Sequence, residues 1–150
     1  MTQQGPANVR VYGVLLRGGR VLIADEKVGG RDVLKLPGGA VEAGETPEQA
    51  LCREFMEEGR LEVEPTRLLH VPGTLYSHWI HGLYTPLYYA VEGAGEPATP
   101  PGEPLVLRFM EPDEAVASER MAAPEVVAIG RALAAHRRPC AGRGEGRTPQ

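Results

Sequence analysis

Short apolar runs separated by glycines and prolines dominate the first third of the chain. Val9 to Leu16 is β-branched and apolar, and Arg20 to Ala24 reads as its partner across a tight Arg17-Gly18-Gly19 turn. Asp25 to Asp32 is polar and Gly-rich and reads as a loop, followed by a short strand, Val33 to Leu36, that ends at Pro37. From Pro47 the period changes to about 3.6 residues: Leu51, Cys52, Phe55 and Met56 share one side, and Arg53, Glu54, Glu57 and Glu58 fill the other. Thr46 is a good N-cap, Pro47 suits the first helical position, Gln49 completes a capping box, and Gly59 supplies a stop. Leu61 to Val71 reads as a strand broken by Pro65, and Leu83 to Val91 as another, with Pro86 marking an edge or a bulge. Leu105 to Met110 is the last strand. A short helix begins at Glu111, and Ala122 to His136 forms a longer one with Val126, Val127, Ile129, Ala132 and Leu133 on its apolar side. Strands mixed with three helices predict an α/β fold, a mixed β-sheet between helical layers.

Composition narrows the classes. One domain over residues 1–136 accounts for the patterned part, with a polar tail over 137–150 and fraying expected from Met1 to Asn8. Sixteen Lys and Arg against 20 Asp and Glu give a net charge of −4, so no overall field favours nucleic acid or an anionic membrane. Cys52 and Cys140 match no metal spacing, no secretory leader is apparent, and no apolar run reaches the length of a membrane span. A reduced, cytoplasmic protein is the expectation.

The charged side of the first helix carries the chemistry. Glu54, Glu57 and Glu58 stand at i, i+3 and i+4, where like charges cost about 0.2–0.5 kcal/mol per pair. They also lie towards the helix C-terminus, where the macrodipole disfavours anions. Arg53 can neutralise part of this charge, and a hard divalent cation such as Mg²⁺, which takes oxygen ligands, would neutralise more. Phosphate transfer to water is the reaction such a site suits.

The stretch from Gly39 to Leu61 resembles the signature of the Nudix hydrolases: Gly39, Glu45, Arg53, Glu54, Phe55, Glu57, Glu58 and Leu61 fall in register. One position departs, Arg60 standing where the second signature glycine belongs while a glycine appears one residue early, at Gly59. The resemblance implies an α/β/α sandwich and Mg²⁺-dependent hydrolysis, with Mn²⁺ as a substitute, of a nucleoside diphosphate linked to another group. By position it implies Glu54, Glu57, Glu58 and the Gly38 carbonyl as metal ligands, and Glu54 or Glu57 as the group that orients or deprotonates water. It further implies Arg53, helped by Glu45, as the holder of the glutamates, and Gly38 and Gly39 as points of close backbone approach. It also makes a homodimer the default. A Nudix-fold nucleotide sensor without catalysis and a bare interaction scaffold are the competing readings.

Two further regions supply candidates. Nudix enzymes place the general base variously, and Glu103 in the Gly/Pro-rich Glu92 to Pro104 loop is the first loop acid to test, ahead of Glu92 and Glu96. Pro72 to Gly82 holds the only Trp and two of the four His; Tyr76, His78, Trp79 and His81 could stack on a base, or Tyr76 and Trp79 could pack in the core. Tyr84, Tyr88 and Tyr89 sit in a strand pattern and read as core or edge residues.

Overall fold

The computed structural model describes residues 8–137. The elements run β1 (Val9–Arg17), β2 (Arg20–Val28), β3 (Arg31–Lys35), β4 (Gly38–Ala40), α1 (Pro47–Gly59), β5 (Glu64–His70), β6 (Leu75–Ser77), β7 (Gly82–Glu92), β8 (Leu105–Met110), α2 (Pro112–Ala117) and α3 (Ala123–Arg137). The tail expected over 137–150 and Cys140 lie outside the described residues apart from Arg137, which is the last residue of α3. Asn8 does not fray, for its side chain donates to the Leu83 carbonyl and its own carbonyl receives the Thr85 N–H.

The sheet follows the path β3-β2-β1-β7-β5, with β4 paired to β1, β6 to β7 and β8 to β2. It is mixed: β1 runs parallel to β7 and antiparallel to β2 and β4. Two glycine pairs set the early register. Gly18 and Gly19 take φ of 58° and 78° between β1 and β2, and Gly29 and Gly30 take 57° and 81° between β2 and β3, as two-residue primed hairpin turns require. The loop expected from Asp25 to Asp32 is therefore a second hairpin, in which Asp25 to Val28 pair with Arg31 to Leu34. Pro86 lies opposite Arg10 of β1, but the neighbouring Thr85 N–H is the one directed to that side. On the other side β6 pairs β7 only through Gly82 to Tyr84 and β5 only from Tyr88 onwards, so the missing N–H falls in an unpaired gap.

Helices cover both faces, giving the α/β/α sandwich. Along β1, Val11 and Leu15 point to α1 while Tyr12 and Val14 join the α2–α3 side, and β2 alternates in the same way. Both faces being dry explains why these strands read as continuous apolar runs rather than as alternation. Gly13 lies on the α1 side, where an added Cβ would stand 2.7 Å from Phe55 Cε1, so the helix rests directly on strand backbone. Among the described residues no helix is long and apolar enough to cross a membrane.

The candidate active site

The first helix starts as its sequence predicts. Thr46 Oγ1 accepts the Gln49 N–H at 3.1 Å and the Gln49 side chain accepts the Thr46 N–H at 2.9 Å. Its buried side is Ala50, Leu51, Phe55, Glu58 and Gly59, which corrects the expected apolar side: Met56 is 44% exposed, Cys52 half-buried, and Glu58 only 7% exposed. The stop comes one residue later than expected. Arg60 adopts the left-handed conformation (φ 54°, ψ 36°), its N–H donating to Met56 O, the single bond of an αL C-cap, while the Leu61 N–H reaches Phe55 O. Gly59 serves packing instead, because a Cβ there would lie 2.4 Å from Leu107 Cδ1.

Arg53 is the hub of the acidic patch. Its Nε donates to Glu45 Oε2 at 2.7 Å, its Nη2 to Glu45 Oε1 at 3.0 Å and to the Ala40 carbonyl at 2.9 Å, and its Nη1 to Glu54 Oε2 at 3.0 Å and Glu57 Oε1 at 3.2 Å. All of the guanidinium's N–H directions are thereby used, which fixes its plane. The Arg53 pKa is held above its usual value, first by Glu45 and then by Glu54 and Glu57. Hydrogen bonds from Arg53 and from the Glu42 backbone hold the Glu45 carboxyl down at about 2. One cation thus locks the loop before α1 to the middle of the helix.

Glu54 and Glu58 meet at the glycine turn. A Cβ on Gly39 would fall 2.5 Å from the Glu54 carboxyl carbon, so only glycine lets the backbone approach so closely. Gly38, at φ 150°, donates its N–H to Glu58 Oε1 at 3.3 Å, and a Cβ there would sit 2.0 Å from the Val11 carbonyl oxygen. Burial pushes the Glu58 carboxyl up to about 8, with Glu54 adding to the shift, and Lys35 and the Gly38 N–H offset only part of it. Glu57 is turned outward, its side chain 57% exposed and tied to Arg53. The expected convergence of three carboxylates is thus a pair plus an outlier, and among the described residues no three acidic, His or Cys side chains gather closely enough to hold an ion. The reason is local: Arg53 occupies the space between Glu54 and Glu57 as their counter-charge. The donor set nevertheless fits a hard divalent cation. Its atoms are all oxygens, and burial with Glu54 alongside disfavours the charged form of Glu58 beyond what Lys35 offsets, a cost that a bound cation would relieve.

Beside the turn lies a cavity of about 220 Å³ that the sequence reading did not anticipate, lined by Arg10, Tyr12, Glu26, Lys35, Trp79, Tyr84, Tyr88 and Glu125 among others. Arg10 Nε donates to the Tyr12 hydroxyl at 2.7 Å, and Lys35 Nζ lies 3.1 Å from Glu26 Oε1. Both cations belong to the acidic patch as well as to the cavity. Burial works against the charge on Arg10, yet Tyr12, Glu54 and Glu58 hold its pKa above the usual value. Lys35 is likewise disfavoured by burial and held high by Tyr12, Glu58 and Glu26. The sequence signal for this cavity was a charged residue where the pattern calls for an apolar one: Arg10 and Lys35 within strands, Glu125 on the buried side of α3. That helix buries Glu125, Ala128, Ile129 and Ala132, whereas Val127, expected inside, is 40% exposed.

The other expected site residues divide. Of the aromatic segment only Trp79 reaches the cavity, with Ser77 and Ile80; Tyr76 is 52% exposed and packs edge-on against His78, their ring centroids 4.9 Å apart. Tyr84 and Tyr88, read as core or edge residues, line the cavity, and Tyr89 lies on the α1 side with its hydroxyl donating to Glu48. Glu103 is exposed before β8, and among the described residues no hydrogen bond or ion pair joins it, Glu92 or Glu96 to α1.

Comparisons with known proteins agree with this architecture. A family model described as the NUDIX domain matches residues 6–129. A MutT-like protein of Streptomyces ambofaciens is 35% identical over 123 residues, covering 81% of this chain and 73% of its own length. A NUDIX hydrolase from Nitrosomonas europaea superposes with a TM-score of 0.72 at 22% identity, covering 89% of this chain and 92% of that one. The E. coli ORF135 protein gives a TM-score of 0.71 at 21% identity, covering 90% and 99%. Nudix hydrolases as a family use divalent metal ions and act on small nucleotide substrates. With Glu54 and Glu58 of the signature meeting at the Gly38-Gly39 turn of an α/β/α sandwich and both sequence comparisons in agreement, this chain belongs to the Nudix hydrolase family.

Proposed function

We propose that the protein hydrolyses a pyrophosphate bond, with Mg²⁺, in a nucleoside diphosphate linked to a second group. The observation that carries this reading is the meeting of Glu54 and Glu58 with the Gly38-Gly39 turn, beside a cavity whose cations feel the same carboxylates. Glu54, Glu57, Glu58 and the Gly38 carbonyl would hold the metal, which when bound neutralises charge on phosphate oxygens and lowers the pKa of a coordinated water. Arg53 sets the positions of Glu54 and Glu57 through its paired hydrogen bonds, braced from behind by Glu45. Glu57, tethered but exposed, can swing towards the turn, and Glu54 or Glu57 takes the proton of the attacking water. The Gly39 backbone, which the Glu54 carboxyl already lies against, would approach the metal and phosphates closely, and Arg10 and Lys35 offer the phosphates positive charge. Trp79 flanks the group at the far end of the substrate. Tyr76 and His78, outside the cavity, act only if the segment carrying them closes, and Glu103 is the loop acid to mutate as an alternative base. A cytoplasmic setting and a homodimer belong to the same proposal; sedimentation of the purified chain tests the latter.

The test is a panel of nucleoside triphosphates, ADP-ribose, nucleotide sugars and dinucleoside polyphosphates with Mg²⁺ or Mn²⁺, read by product identity. A nucleoside monophosphate and a phosphorylated remainder are expected. Glu57→Gln should lower turnover by orders of magnitude without changing unfolding, since the side chain is exposed; equal activity refutes its role. Saturable binding with no turnover of any substrate would instead mark a nucleotide sensor.

A further inference from the structure

The outer edge of β3 is closed by the stretch that links α2 to α3. Leu34 and Met121 pair as a parallel bridge, and the Leu34 N–H donates to the Arg120 carbonyl at 3.0 Å. Two residues earlier the Asp32 carbonyl accepts from Arg120 Nε at 3.4 Å, and two residues later the Leu36 N–H donates to Glu125 Oε2 at 3.2 Å. A strand edge that would otherwise present unpaired groups is thereby covered. Arg120 is the centre of this seam. Its own N–H donates to Ser118 Oγ at 3.0 Å, and its Nη2 bonds Asp25 Oδ1 of β2, whose other oxygen accepts from Arg108 of β8 at 3.3 Å. The Arg120 and Asp25 side chains are 36% and 30% exposed, and ion pairs so open to water add little stability. Placement is what the arrangement supplies.

Two walls of the cavity meet at this seam. Val33 and Lys35 line it from β3, and Ala122 and Glu125 line it from the residues that follow Arg120. Ala122, directly ahead of α3, has no side chain that could cap the helix. The first turn of α3 is therefore located by the Glu125–Leu36 bond and by the chain leading into it. The acidic patch is braced elsewhere, by Arg53 with Glu45 and by the pairing of β4 with β1. We propose that Arg120 is a positioning residue: through Asp25 and Asp32 it holds the α2–α3 linker on the edge of β3, and so sets the α3 wall of the cavity against the β3 wall. The inference rests on the reading of the cavity as the place where the nucleotide binds. It places the effect of Arg120 on affinity and not on the chemical step.

The experiment compares Arg120→Ala and Arg120→Lys with the wild type as full chains. With the substrate of the panel that turns over fastest, Arg120→Ala should raise KM about tenfold and leave kcat within about twofold, the pattern of binding lost equally from ground and transition states. Arg120→Lys can still pair with Asp25 but lacks the planar fork that reaches Asp32 as well, so it should recover part of the loss. Trp79, the only tryptophan, lines the cavity, and its fluorescence with EDTA present gives the same comparison for AMP, GMP, CMP and UMP without turnover. Amide exchange reads the seam with no ligand at all. In Arg120→Ala the Leu34 and Leu36 N–H groups should lose protection together, by about tenfold, while amides of the β1–β7 ladder keep theirs. A Leu36 amide as protected as in the wild type means that α3 is seated without Arg120, and overturns the proposal. A lowered melting temperature with KM and nucleotide affinity unchanged overturns it too, for that is all a merely structural contact would do. If Arg120→Ala does not fold, Arg120→Lys decides, and a wild-type KM in that variant refutes the role. Failure to hydrolyse any substrate sinks the proposed reaction alone, since exchange and monophosphate binding still judge Arg120; normal hydrolysis with KM and exchange unmoved sinks this inference alone.

Discussion

Replacing Arg60 by glycine should make the protein more stable than replacing it by alanine. Arg60 ends α1 in the left-handed region at φ 54°, where a side chain's Cβ crowds the following carbonyl and costs an L-residue about 1–2 kcal/mol. Glycine avoids that cost but gives back about 0.4–1 kcal/mol through the greater freedom of its unfolded chain. The difference leaves a net gain of about 0.5–1 kcal/mol. Alanine is the proper reference, because both variants remove the same guanidinium from the helix C-terminus, where a cation is favourable by about 0.3–1 kcal/mol. The side chain of Arg60 is exposed and makes no hydrogen bond among the described residues, so no other contact differs between the two. For a chain of this size each kcal/mol moves the melting temperature by about 2–4 °C. Thermal unfolding of Arg60→Gly should therefore lie about 1–4 °C above that of Arg60→Ala. If the glycine variant melts at or below the alanine one, the left-handed stop is not what Arg60 provides. The companion Gly59→Ala should be destabilising, since the new Cβ drives into Leu107 and overpacking costs about 1–3 kcal/mol, more than alanine's advantage of about 1 kcal/mol within a helix.

Phe55, fully buried against Gly13, should lose about 3–5 kcal/mol on truncation to alanine, and denaturant midpoints unchanged by Phe55→Ala would mean the helix faces another way. Glu45 is held down at about 2 in the fold, so its contribution is present above about pH 4.5 and lost as pH falls towards 2. Glu45→Gln should flatten that acid limb of a stability-against-pH curve, and an unaltered limb counts against the Arg53 clamp. Glu58 runs the other way: held up to about 8, it binds its proton more tightly folded than unfolded, so it stabilises the metal-free protein below about pH 4.5 and that contribution fades as pH rises to 8. Mg²⁺ binding should strengthen over the same interval as the proton leaves, and calorimetry in buffers of different ionisation enthalpy would detect its release; pH-independent affinity without proton release contradicts Glu58 as a ligand.

Local physics wrote much of this protein into its sequence. The capping box at Thr46 and Gln49, the Gly18-Gly19 hairpin and the apolar strands specify their own conformations, because each depends on neighbours within a few residues. The spacing of Arg53, Glu54, Glu57 and Glu58 likewise showed which acids share a helix surface. It could not show that Glu58 is drawn under the Gly38-Gly39 turn while Glu57 is drawn out to Arg53, since helical period fixes direction but not what waits there. The second hairpin at Gly29-Gly30 was legible and was masked by the polarity of its strands, which the edge of the sheet tolerates. The cavity was decided by tertiary structure alone: Arg10, Lys35, Tyr84 and Glu125 come from β1, β3, β7 and α3, and only the folded sheet brings them together. A charge in an apolar run looks like noise until the fold supplies the partners that make its burial affordable.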